Sequence, residues 1–115
     1  MVKAAKKVLY RGEQPGLETM VAVSRDGGET WAPLPHRCEP GDCHSPTGFN
    51  WGYRGSGPAD LAKNLLWDLW GREPHPAEAF HFKEAQIAML TTRQWTLDAD
   101  LIEWVMSQQR GANGA

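Results

Sequence analysis

The first third of the chain sets apolar and β-branched residues in short runs. Val8-Leu9-Tyr10 predicts a short first strand, stopped by Gly12 and Pro15-Gly16. The run from Thr19 to Ser24 (Thr-Met-Val-Ala-Val-Ser) predicts a second, because β-branched and apolar side chains suit a pleated, half-buried surface. Arg25-Asp26-Gly27-Gly28 follows. Asp and Gly tolerate the positive φ of tight hairpins, so the stretch from Glu29 to Leu34 is predicted to return as the partner strand. Pro33 has no amide hydrogen to donate, which confines that strand to a short edge. From Pro35 to Gly57 the chain has no regular period and is rich in Pro, Gly, Asp, Asn and Ser. Long irregular segments inside small domains are uncommon and often functional.

At Pro58 the period becomes helical. Gly57 or Ser56 suits the N-cap, Pro58 the first turn, and Asp60 the positive end of the helix dipole. Leu61, Ala62, Leu65, Leu66 and Leu69 share one face, and Gly71 closes the helix. After the rigid Pro74-His75-Pro76, a second helix is predicted from Ala77 to Leu90, with Phe80, Ile87 and Leu90 facing inward. Phe80-His81-Phe82 also alternates as a strand would. Thr96 or Asp98 caps a last helix that turns Leu101, Ile102 and Val105 inward and runs to about Gln109. Residues 110–115 read as a frayed tail. The expected fold is α+β: a small N-terminal antiparallel hairpin or meander, a long loop, and about three helices packed on the sheet. One domain spans 1–115, with its ordered core at about 8–109.

Composition narrows the function classes. The chain has 115 residues, 41% of them apolar and 23% charged, as expected of one globular domain with one core. A net charge of −2 argues against wrapping duplex DNA by charge, which needs clustered Lys and Arg. No run approaches the roughly 18 apolar residues of a membrane span, and the basic start has no apolar stretch behind it. The expected compartment is the cytoplasm. Six tryptophans serve either a core or a binding surface.

Several residue sets carry candidate chemistry. Ser24-Arg25-Asp26-Gly27-Gly28-Glu29-Thr30-Trp31 fits Ser-x-Asp-x-Gly-x-Thr-Trp and resembles the Asp-box hairpin of sialidases and related β-propellers. The resemblance covers eight residues and implies a braced hairpin, not a glycosidase. His36, Cys38, Cys43 and His44 are all zinc-type ligands within nine positions, but Cys-x4-Cys is loose and no second pair follows. No cofactor is expected, and zinc on these four is a secondary alternative. Gly55-Ser56-Gly57-Pro58 before a helix is either a structural cap or an anion site assisted by Arg54 and Ser56. In an extended conformation Phe49, Trp51 and Tyr53 share one face, either laid on the core or stacking a base or sugar. Trp67 falls opposite the leucines, among Asp60, Asn64 and Asp68. There it marks either a partner surface or a second packing layer.

The run His44-Ser45-Pro46-Thr47-Gly48-Phe49, then Trp51-Gly52-Tyr53, Gly55-Ser56-Gly57-Pro58-Ala59 and Leu61-Ala62 resembles the signature of an uncharacterised family of small phage and prokaryotic proteins. Its helix tends to be apolar where Lys63 and Asn64 stand here, which implies a less buried helix in this chain. Cys38 and Cys43 lie outside the signature. The resemblance implies a small protein of phage or mobile-element type. The leading expectation is a non-enzymatic protein that binds a host protein, such as a defence component, through Trp51, Tyr53, Arg54, Ser56, Gly57 and Trp67. The rival is a nucleotide or phosphate binder built on the same helix start. A hydrolase using His44 and Ser45 is a third reading. The oligomeric state is open, a homodimer included.

Overall fold

A computed structural model describes residues 7–37 and 48–114, with side chains over 7–37 and 48–108. Four strands, β1 (Leu9–Glu13), β2 (Met20–Ser24), β3 (Ala32–Pro33) and β4 (Gln94–Asp98), form one antiparallel sheet in the order β3-β2-β1-β4. The α+β architecture expected from the sequence holds, and so does the hairpin joining β2 to β3. The central strand pairs on both sides: Tyr10 faces Val23 and Leu97, and Gly12 faces Val21 and Trp95. Period two then puts Tyr10, Gly12, Val21, Val23, Trp95 and Leu97 on one face, all of them buried.

Gly12 does not stop the first strand; it lies inside it. The Trp95 indole from β4 crosses directly over it, so a Cβ at Gly12 would sit 2.3 Å from Trp95 Cε2. The glycine makes room for a tryptophan. The strand around that tryptophan is a second departure. Gln94-Trp95-Thr96-Leu97-Asp98 alternates with period two and completes the β1 edge, so Thr96 belongs to a strand rather than to a cap. Asp98 does cap, accepting from the Leu101 amide at 2.7 Å.

The helices are α1 (Ser56–Trp70), α2 (Pro76–Ala85) and α3 (Ala99–Gly114). The N-cap of α1 is Gly55, one residue before the expected pair, and Gly71 ends it at φ 71° with its amide donating to the Trp67 carbonyl. The second helix is shorter than expected and gives way to a 3₁₀ turn over Ile87–Met89. Phe82 and Ile87 are its buried residues, whereas Phe80 is 60% exposed. In α3 the inward stripe is Ile102, Val105 and Met106; Leu101 lies on its margin, 38% exposed. Its helical backbone continues beyond Gln109 through the stretch read as a tail. No helix among the described residues is long and apolar enough to cross a membrane.

Candidate functional site

The loop before α1 is held by its own residues. Asn50 Oδ1 accepts from the Trp51 amide at 2.9 Å, and the Asn50 amide donates to the Gly57 carbonyl at 3.3 Å. Trp51 is buried, donates through Nε1 to the Thr92 carbonyl at 2.9 Å, and meets Trp95 edge-on at 5.3 Å. Gly52 has φ +85° and donates to the Ile87 carbonyl at 3.0 Å. Thr19 Oγ1 donates to the Phe49 carbonyl, and Phe49 packs on His36 at 4.4 Å. The three aromatics therefore do not share a face. Gly52 turns the chain between them, so Trp51 goes into the core and Tyr53 stays 48% exposed.

Tyr53 lies across the helix start. A Cβ on Gly55 would meet its Cε2 at 2.5 Å, and one on Gly57 would meet its Oη at 3.0 Å. Those two glycines thus accommodate this chain's own tyrosine. Arg54 points elsewhere, with Nε 3.2 Å from Glu84 Oε1 of α2, and Ser56 is exposed. The structure brings Trp51, Tyr53, Arg54, Ser56 and Gly57 together around one helix end. Trp67 is not among them: eleven residues along α1 place it roughly 16 Å away.

The face of α1 that carries Trp67 is covered. Asp60 and Asn64 are buried, and the Asp68 side chain is 1% exposed. This overturns the less buried helix expected around Lys63 and Asn64; Lys63 is itself buried. The cover comes from other elements. Asp68 accepts from Tyr10 Oη at 2.8 Å and from Arg25 at 2.6 and 3.1 Å, with Arg37 Nη2 at 3.6 Å. Asn64 Oδ1 accepts from the Arg37 amide at 2.7 Å, and His36 Nε2 lies 3.2 Å from Asp60 Oδ2. Burial pushes the Tyr10 hydroxyl pKa up, and its bond to Asp68 adds to that. Burial also raises the Asp68 pKa, but the hydrogen bonds from Arg25 and Tyr10 outweigh it and hold the carboxyl below its ordinary range. Sequence reasoning missed this cluster. Its signal was short polar residues at 60, 64 and 68, a four-residue spacing that lines up one helix stripe. Trp67 is half-buried beside it, with Lys63 Nζ 5.7 Å from its ring centroid.

The Asp26 turn is the braced hairpin its sequence implies. Asp26 Oδ1 accepts from Ser24 Oγ and from the Glu29 and Thr30 amides at 2.7–3.0 Å, and Oδ2 accepts from Thr30 Oγ1. The Thr30 hydroxyl foremost holds the Asp26 carboxyl well below its usual range. Trp31 Nε1 donates to the Gly28 carbonyl, and its ring lies under the Arg11 guanidinium at 4.1 Å.

Cys38, Cys43 and His44, with Ser45, lie outside the described residues; the fourth zinc candidate, His36, is occupied with Asp60 and Phe49. Among the described residues no three His, Cys, Asp or Glu side chains cluster as a metal set. Cavities open at several places among the described residues, two of them larger than the others described. One, of about 470 Å³, is an apolar groove beside β3 walled by Met20, Ala22, Trp31, Pro33 and Phe49. The other, of about 490 Å³, lies between α1 and the start of α2.

Residues 10–108 match the model of a family of unknown function, DUF6166. The chain belongs to this family. The DUF6166 match takes in both the loop from Gly48 to Pro58 and the Tyr10–Asp68 cluster. Comparison with curated proteins finds no match, and comparison with solved structures finds none either.

Proposed function

We propose that this chain is a non-enzymatic binding protein that grips a partner protein through the apolar groove beside β3. One observation carries the reading: Met20, 61% exposed, stands with Trp31, Pro33 and Phe49 around an open groove of about 470 Å³. Aromatic and Met side chains around a pocket are the usual anchors of protein interfaces. Pro33 and Pro35 cannot donate from the outer edge of β3, which disfavours an added strand. The fitting occupant is therefore an apolar side chain carried on a partner's helix or loop. The partner is a host protein, and a component of a host defence system is the sharper form of the proposal, in keeping with a phage or mobile-element origin. The nucleotide or phosphate reading has less support, because Tyr53 overlies the helix start and Arg54 is paired with Glu84.

The test compares three proteins with matched melting temperatures: the unchanged chain, Met20→Asp in the groove, and Met89→Asp on the exposed 3₁₀ turn. Cross-linking in a prokaryotic host should join the groove to one host protein, and only Met20→Asp should lose it. Protection of a plated phage from host defence should be lost with the same variant. Equal cross-linking by all three would sink the groove, and a cross-link only to a second copy would replace the host partner with a homodimer.

A further inference from the structure

The second cavity has a different chemistry. It is lined by Ala59, Lys63 and Ala79 from the helices and by Glu73 and Pro74 from the connector between them. The Lys63 side chain is 9% exposed, yet it forms part of the wall; its Nζ lies 3.3 Å from Glu73 Oε2, and the Glu73 side chain is 42% exposed. A cation withdrawn from water needs an anion beside it, whereas a part-exposed carboxylate can return to solvent at little cost. Among the described residues, Arg72 pairs with Glu78 at 3.3 Å, Glu78 accepts from the His75 amide at 2.8 Å, and His75 also borders the cavity. The volume, about 490 Å³, lies in the range of small-molecule sites.

We propose that this cleft binds a small organic monocarboxylate. The ligand's carboxylate takes the place of Glu73 on the Lys63 ammonium, and its compact apolar body lies against Ala59, Pro74 and Ala79. Binding here is separate from the groove beside β3 and does not depend on it.

The experiment is an amide NMR titration of the full chain with sodium benzoate, with benzamide as the neutral analogue and sodium chloride at matched ionic strength. Benzoate should give saturable shifts at Ala59, Lys63 and Ala79, and benzamide should not. Glu73→Gln should bind benzoate about two- to fivefold tighter, since a competing part-exposed ion pair is removed. Lys63→Met should abolish binding, and Lys63→Gln serves in its place if that variant does not fold. Absence of saturable shifts in both the unchanged chain and Glu73→Gln overturns the proposal. So does equal binding of benzamide, or benzoate affinity in Glu73→Gln that is unchanged or weaker.

Discussion

Replacing Gly57 by alanine adds a methyl group where the loop leaves no room. Its Cβ would lie 2.7 Å from Asn50 Cβ, 3.0 Å from Tyr53 Oη and 3.4 Å from the Asn50 nitrogen. Carbon atoms pack at about 3.5–4.0 Å, so Asn50 must retreat by roughly 1 Å. It is not free to do so: its amide is bonded to the Gly57 carbonyl and its Oδ1 to Trp51, and Trp51 is tied to Thr92 and wedged on Trp95. Overpacking of this kind costs about 1–3 kcal/mol, and the better helix propensity of alanine returns at most about 1 kcal/mol. The net loss should be about 1–2 kcal/mol, which lowers Tm by about 4–8 °C for a domain of this size. Gly55→Ala meets only the half-exposed Tyr53 ring, which can swing outward. Its loss should be smaller and should vanish in a Tyr53→Ala background, a coupling that a double-mutant cycle reads directly. Thermal melts followed by circular dichroism measure all four variants. If Gly57→Ala melts at or above the unchanged chain, the loop is not the internal brace described above, and a ligand-binding role for its glycines regains its standing.

Asp68→Asn should cost about 2–3 kcal/mol in urea unfolding. That is less than the roughly 3–5 kcal/mol of a fully buried pair, because the Arg25 side chain is 57% exposed; a loss under 0.5 kcal/mol would contradict the cluster. The carboxyls of Asp68 and Asp26 are both held below their ordinary range. Their contribution is therefore present above the unfolded value near 4 and is lost as pH falls through the lower folded values. Stability should hold down to about pH 5 and decline below about 4, and Asp68→Asn should flatten that decline; an unchanged acid limb would count against the assignment. Gly12→Ala should destabilise by about 1–3 kcal/mol, since its Cβ would fall within 2.5 Å of three Trp95 indole atoms, and Trp95→Ala should suppress most of that difference.

What was legible in the sequence is what local chemistry decides. Asp26-Gly27-Gly28 punctuates the hairpin, and Pro58 and Gly71 bracket α1. The strand at Gln94–Asp98 was hidden because its partner, β1, lies at the opposite end of the chain. Its five residues announce a strand only once that edge is known to be open. The stripe of Asp60, Asn64 and Asp68 did not show as a cluster for the same reason. A helical wheel shows where polar residues fall, not that His36, Arg37, Arg25 and Tyr10 arrive to cover them. In the loop, the sequence left two roles open for each residue: of core or stacking surface, Trp51 takes the core, and Arg54, a possible anion contact, is an ion-pair partner of α2.

These placements bear on where the proposed partner docks. The leucine face of α1 is buried in the core, and Asp60, Asn64 and Asp68 on its opposite side are met by His36, Arg37, Tyr10 and Arg25. Trp67 itself is half-buried, and Ala59 and Lys63 of α1 line the open cleft beside α2. Lys63 Nζ lies 5.7 Å from the Trp67 ring centroid and 3.3 Å from Glu73 Oε2. The groove at Met20 and Trp31, at the edge of the sheet, is the docking surface we propose. Trp31 and Phe49 in its wall belong to motifs, but Met20, Ala22 and Pro33 do not, because a few exposed apolar side chains beside a short edge strand leave no distinctive spacing in a sequence. A glycine-rich loop leaves a strong one, and here that spacing records how the helix is seated.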